Sequence, residues 1–120
     1  MVYRFSIFSN AIRTIIVLAA SFALYALSRD NYLLFHLIAE TYSIVIACGI
    51  FIVSWNTRRQ SSHRGLVILG LAYLGVAVLD FFHTISYHGM NVFTGDIYYA
   101  NQLWVCARAL ETLGVLVFVY

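Results

Sequence analysis

The chain has 120 residues, 62% of them hydrophobic and only 10% charged, whereas a water-facing domain carries about 25% charged residues. Its net charge of +2 comes from arginine alone, because there is no lysine. These figures exclude a soluble globule and a nucleic-acid-binding surface, and they point to an all-α polytopic bundle of about four transmembrane helices in a lipid bilayer.

Segment one is expected over about 11–28, with its apolar stretch Thr14–Ser28 lying between Arg13 and Arg29. It is short for a bilayer, so it is expected to borrow residues before Arg13, whose guanidinium can snorkel to the interface. A cleaved signal peptide is the weaker reading, because the apolar run continues past Ala19-Ala20-Ser21 and three more apolar segments follow. Segment two is expected over about 32–55, segment three over 65–87 and segment four over 98–120. The connections are "RDN", "NTRRQSSHRG" and "HGMNVFTGDI", the last with two glycines and an aspartate, as in a tight loop. No repeat, linker or strand pattern interrupts this order, and the absence of proline suits continuous helices.

Arginine placement predicts orientation. Arg58, Arg59 and Arg64 sit in the second connection with His63, and Arg4 and Arg13 sit near the N-terminus, while the other two connections hold only Arg29. The positive-inside rule then puts the N-terminus and the second connection in the cytoplasm and the other two connections outside. Tyr32, Trp55, Tyr87, Tyr98 and Tyr99 mark segment ends, where aromatic residues favour the interface. Cys48 and Cys106 lie in apolar segments with no CxxC pattern, and are read as small packing residues.

Three pairs of polar residues interrupt the apolar segments: His36 with Glu40, Asp80 with His83, and Arg108 with Glu111. Each pair is spaced three or four residues apart and so occupies one helical face. A charge facing lipid costs at least about 2.5 kcal/mol, so these faces are expected to turn inward. In the predicted topology all six residues fall in the outer half of the membrane. One reading is structural: Arg108 neutralises Asp80 or Glu111, and the pair pins helix register. The other is a ligand, ion or proton site, since three carboxylates share one arginine and two histidines. As a cofactor site, His36 and His83 would suit haem ligation from opposite sides. Alternatively, His36, His83, Asp80 and Glu40, with Glu111 beside them, would suit a metal ion. Tyr42, Ser43, Tyr73 and Thr84 are further hydrogen-bond donors in reach of such a site. A proton or cation path ranks lower, because the inner halves "VIACGIFIV" and "GVLVFVY" are apolar. No nucleophile, phosphate loop or nucleotide motif suggests an enzyme.

Three blocks, "YLLFHLIAETYSIVIACGIFIVSWNTRR", "LAYLGVAVLDFFHTISYHGMNVF" and "NQLWVCARALETL", resemble in order the MASE3 domain, a membrane-associated sensor domain of bacterial signalling proteins. The resemblance spans about 31–113. It maps the family's polar positions onto His36, Glu40, Asp80, His83, Arg108 and Glu111. It implies a sensory input module in the bacterial inner membrane, fused to or working with a histidine kinase, PAS or diguanylate cyclase effector, with a homodimer as one expected assembly. The family's domain is longer, so the chain is expected to be the N-terminal part of a larger sensor bundle, with further helices and the effector lying beyond it. The alternatives are a haem- or metal-binding bundle and a structural membrane subunit.

Overall fold

The computed structural model describes residues 2–60, 64–90, 92–93 and 98–120, with side chains from residue 10 onward except that of Arg64. His63, Asn91 and residues 94–97, which belong to the two longer connections, lie outside the described residues. Among the described residues, four α-helices follow in chain order: α1 (Val2–Asp30), α2 (Tyr32–Thr57), α3 (Arg64–Ser86) and α4 (Tyr98–Val119). Each is long and apolar enough to cross a membrane. There is no strand among the described residues.

The chain divides into two compact units, residues 1–36 and 37–120. In the first, α1 is longer than the expected 11–28. Helix runs straight through Arg13, and the apolar span is Asn10–Asp30. A single arginine does not end a helix: it is a good helix former, and its charge leaves lipid by extending the side chain. The described side chains from Asn10 to Ala26 are exposed, with Phe22 and Tyr25 among the large ones. Asn31 separates α1 from α2 and caps the latter, its Oδ1 accepting a hydrogen bond from the Leu34 amide at 3.0 Å.

The second unit holds the rest of α2 with α3 and α4. Its interior is built from small residues. Ala47 and Ser54 are buried on α2, Gly70, Ala77 and Thr84 on α3, and Ala100, Ala107 and Gly114 on α4. On each helix these positions recur every seventh residue, the spacing that keeps one stripe facing a neighbour at a shallow crossing angle. Between membrane helices, where apolar burial gives little drive, close backbone approach through small residues supplies the packing. A Cβ placed on Gly70 would stand 2.5 Å from the Ser54 Cβ, one on Gly75 2.6 Å from Leu110, and one on Gly114 2.6 Å from the Ala72 Cβ. With Glu40 of α2 facing His83 of α3, these contacts run α3 antiparallel to both α2 and α4. Large side chains such as Val45, Phe81, Phe82 and Trp104 point outward, as lipid-facing residues do. Cys106 is also exposed and Cys48 half-buried, so Cys106 is not the packing residue its apolar surroundings suggested.

At one end of this unit, Arg58 folds back on α2. Its Nη1 donates to the Trp55 carbonyl at 2.6 Å, and its guanidinium lies 4.2 Å from the centre of the Trp55 ring. At the other end, α3 stops in a turn where Gly89 adopts φ 99°, a left-handed conformation open to glycine without a Cβ penalty.

Candidate functional site

Asp80 is the largest fully buried side chain among the described residues, 1% exposed. It sits about 9 Å inside the C-terminal end of α3, counting 1.5 Å per residue back from Ser86. Its Oδ2 accepts a hydrogen bond from Arg108 Nη2 at 2.6 Å. The same guanidinium reaches Glu111 with its other terminal nitrogen, Nη1 to Oε2 at 2.8 Å. By residue count Arg108 lies about 15 Å into α4, deeper than Asp80 lies in α3. Helical side chains lean toward their own N-terminus. In antiparallel helices Arg108 therefore leans back toward the α3–α4 connection and Asp80 leans away from it, so the two meet. One arginine thus bridges two carboxylates, one sealed between α3 and α4 and one about a third exposed.

The network extends both ways along the helices. On the deep side the Tyr73 hydroxyl donates to Glu111 Oε1 at 3.2 Å, about 20 Å from the Ser86 end of α3. On the shallow side His83, 5% exposed, packs its ring against α4, with Nδ1 2.8 Å from the carbonyl oxygen of Ala100. That approach needs a small residue, and Ala100 is buried at 3%. The carbonyl only accepts, so Nδ1 carries a hydrogen and donates. Nε2 faces Glu40 of α2 at 3.9 Å from Oε1, an ion pair whenever the ring is protonated. Thr84 closes the layer by donating to the Asp80 carbonyl at 2.7 Å, which leaves the carboxylate to Arg108.

Five of the six predicted residues, Glu40, Asp80, His83, Arg108 and Glu111, therefore stand in two linked pairings carried by α3. His36 belongs to the first unit, where it is buried near the start of α2 with its ring stacked on Tyr32 at 6.2 Å. Helical spacing puts it on the same face of α2 as Glu40. Of the four auxiliary donors, Tyr73 and Thr84 join the network, while Tyr42 is 69% exposed and Ser43 is half-buried. Tyr73 carries more than sequence suggests, because it takes the polar network into the otherwise apolar half of α3. Its position seven residues before Asp80, on the same face, was the available signal.

Two buried atoms of the network have no hydrogen-bond partner among the described residues: Asp80 Oδ1 and Arg108 Nε. A buried carboxylate oxygen without a donor is penalised, so the Asp80 carboxyl is only half satisfied by the protein. The arrangement is chemically a charge relay in the electrostatic sense: any change of charge at Asp80 alters the hold of Arg108 on Glu111, and with it the Tyr73 contact.

Among known proteins, a family model described as a membrane-associated sensor domain, MASE3, matches residues 27–120, which take in the second unit entirely and the end of the first. No curated protein and no solved structure matches the chain. With the three resembling sequence blocks, the apolar spanning helices and a match over most of its length, the chain belongs to the MASE3 family of membrane-associated sensor domains.

Proposed function

We propose that the chain is the sensory input module of a bacterial signal-transduction protein of the histidine kinase or diguanylate cyclase type. The Glu40, Asp80, His83, Arg108 and Glu111 layer is its sensing site. The observation that carries this reading is the shared arginine: Arg108 is held between a sealed carboxylate and a part-exposed one. A structural pin needs only one partner for one charge. Here the second partner and the half-satisfied Asp80 give the layer two arrangements, Arg108 nearer Asp80, its tighter partner, or nearer Glu111. A stimulus with different affinity for the two arrangements shifts their populations, and the shift moves α4 against α3.

The module sits in the inner membrane with its N-terminus and the α2–α3 connection in the cytoplasm, following the arginine distribution. His83 and Glu40 then lie toward the outer water, and Tyr73 marks the deepest point of the network. Arg108 and Glu111 remain about a third exposed at mid-depth, where lipid contact costs a charge at least about 2.5 kcal/mol. That exposure favours cover by further membrane helices or by a second copy of the chain, and the output passes to a cytoplasmic effector. The experiment is a signalling assay with the module joined to its effector. His83→Ala abolishes the response, while His63→Ala, on the cytoplasmic connection, preserves it, and both proteins insert normally. A His83→Ala protein that signals like the parent, beside an Asp80→Asn protein that fails to fold, would reduce the layer to helix glue.

A further inference from the structure

His83 is held the way metal-ligating histidines are held. Such rings donate one N–H to a backbone carbonyl or carboxylate, which fixes the tautomer and aims the other nitrogen at the ion. In this chain Nδ1 donates to the buried Ala100 carbonyl at 2.8 Å, and the lone pair of Nε2 in the neutral ring is directed at the Glu40 carboxylate. The 3.9 Å between Nε2 and Oε1 is too long for a hydrogen bond. Two ligand atoms bonded at about 2.0–2.2 Å to one tetrahedral ion stand roughly 3.4 Å apart, so a small rotation of the half-buried Glu40 side chain brings the pair to ligand spacing.

Charge points the same way. Arg108 is taken up by Asp80 and Glu111 through separate nitrogens, and no salt bridge joins Glu40 to an arginine among the described residues. The basic side chain that faces Glu40 is His83. Asp80 and Glu111, which the sequence also offers as metal ligands, are committed to Arg108, so within the second unit the ligand pair is Glu40 and His83.

We propose that His83 Nε2 and the Glu40 carboxylate bind one divalent transition-metal ion of the kind that accepts imidazole and carboxylate together, such as Zn²⁺, with water completing its coordination. As a stimulus, the ion rests on the sensing function proposed above; as a bound ion, it does not, because affinity is measured without any effector. The full chain, purified in detergent and stripped of metal, is titrated with Co²⁺ as a visible-absorbing probe and then with Zn²⁺ in competition. One Co²⁺ per chain is expected, with saturable d–d absorption that Zn²⁺ abolishes. Glu40→Gln and His83→Gln each weaken binding by at least about tenfold, and His88→Gln, on the exposed turn after α3, leaves it unchanged. X-ray absorption of the Zn²⁺-loaded parent protein, which needs no variant to fold, is expected to show imidazole scattering and no sulfur. Absence of saturable Co²⁺ absorption, sulfur scattering from Cys48 or Cys106, loss of binding in His88→Gln, or unchanged affinity in Glu40→Gln and His83→Gln would each overturn the site. A signalling module that binds the ion but does not respond to it would instead remove the ion as stimulus and leave the site standing.

Discussion

Arg108 holds its two carboxylates unequally, and a pair of double-mutant cycles measures the inequality. The Asp80 side chain is 1% exposed and bonded at 2.6 Å, whereas Glu111 is 31% exposed at 2.8 Å, on an arginine that is itself 35% exposed. Removing one partner of a buried pair costs about 3–5 kcal/mol, because the other is left uncompensated. The partial exposure of Arg108 places Asp80–Arg108 at the lower end, with a coupling energy of about 2–3 kcal/mol. The Arg108–Glu111 pair is an i, i+3 neighbour that solvent or headgroups can reach, and its coupling is about 0.5–1 kcal/mol. The cycles combine Asp80→Asn with Arg108→Gln, and Glu111→Gln with Arg108→Gln. Unfolding is followed by tryptophan fluorescence in mixed micelles with increasing SDS. The first cycle should exceed the second by at least about 1 kcal/mol, roughly a factor of five in equilibrium constant. Equal couplings, or a larger one for Glu111, would refute the claim that Asp80 is the sealed end of the network.

Other outcomes follow from the same geometry. Gly114→Ala puts a methyl 2.6 Å from the Ala72 Cβ and should destabilise the α3–α4 pair by about 1–3 kcal/mol. Gly49→Ala meets nothing within 4 Å and should stabilise α2 by up to about 1 kcal/mol in the same micelle assay. Tyr73→Phe removes the hydrogen bond to Glu111 at a cost of about 0.6 kcal/mol, with a larger effect on signalling than on unfolding. In a cysteine-free background, Gln60→Cys should resist an impermeant thiol reagent added outside intact cells and react after permeabilisation; labelling of intact cells would reverse the topology.

Much of this architecture is legible in the sequence, for a physical reason. Apolar runs near the length of a bilayer have one solution, the helix, so four helices could be read without knowing what they pack against. Polar spacing likewise assigns Asp80 and His83 to one face and Arg108 and Glu111 to another. What spacing cannot supply is register between helices, so the choice of Arg108 between Asp80 and Glu111 stayed open until the structure showed that it takes both. Register is set by Gly70 against Ser54 and by Gly114 against Ala72. The sevenfold recurrence of small residues, Ala100 to Ala107 to Gly114, was present in the sequence but hidden by the more conspicuous charges. The reach of α1 through Arg13 follows from the shortness of its apolar run, whereas the outward position of Cys106 is hidden because local composition does not reveal which way a side chain points.

The most direct test of the sensing account is the basal output of the module joined to its effector, with and without Arg108. If Arg108 balances two arrangements of α3 and α4, Arg108→Gln locks the layer in one of them. Basal kinase or cyclase output then shifts by at least about fivefold, the lower range of coupling between linked sites, at unchanged protein level and insertion. Output within twofold of the parent, in a protein that inserts and packs normally, would contradict the account.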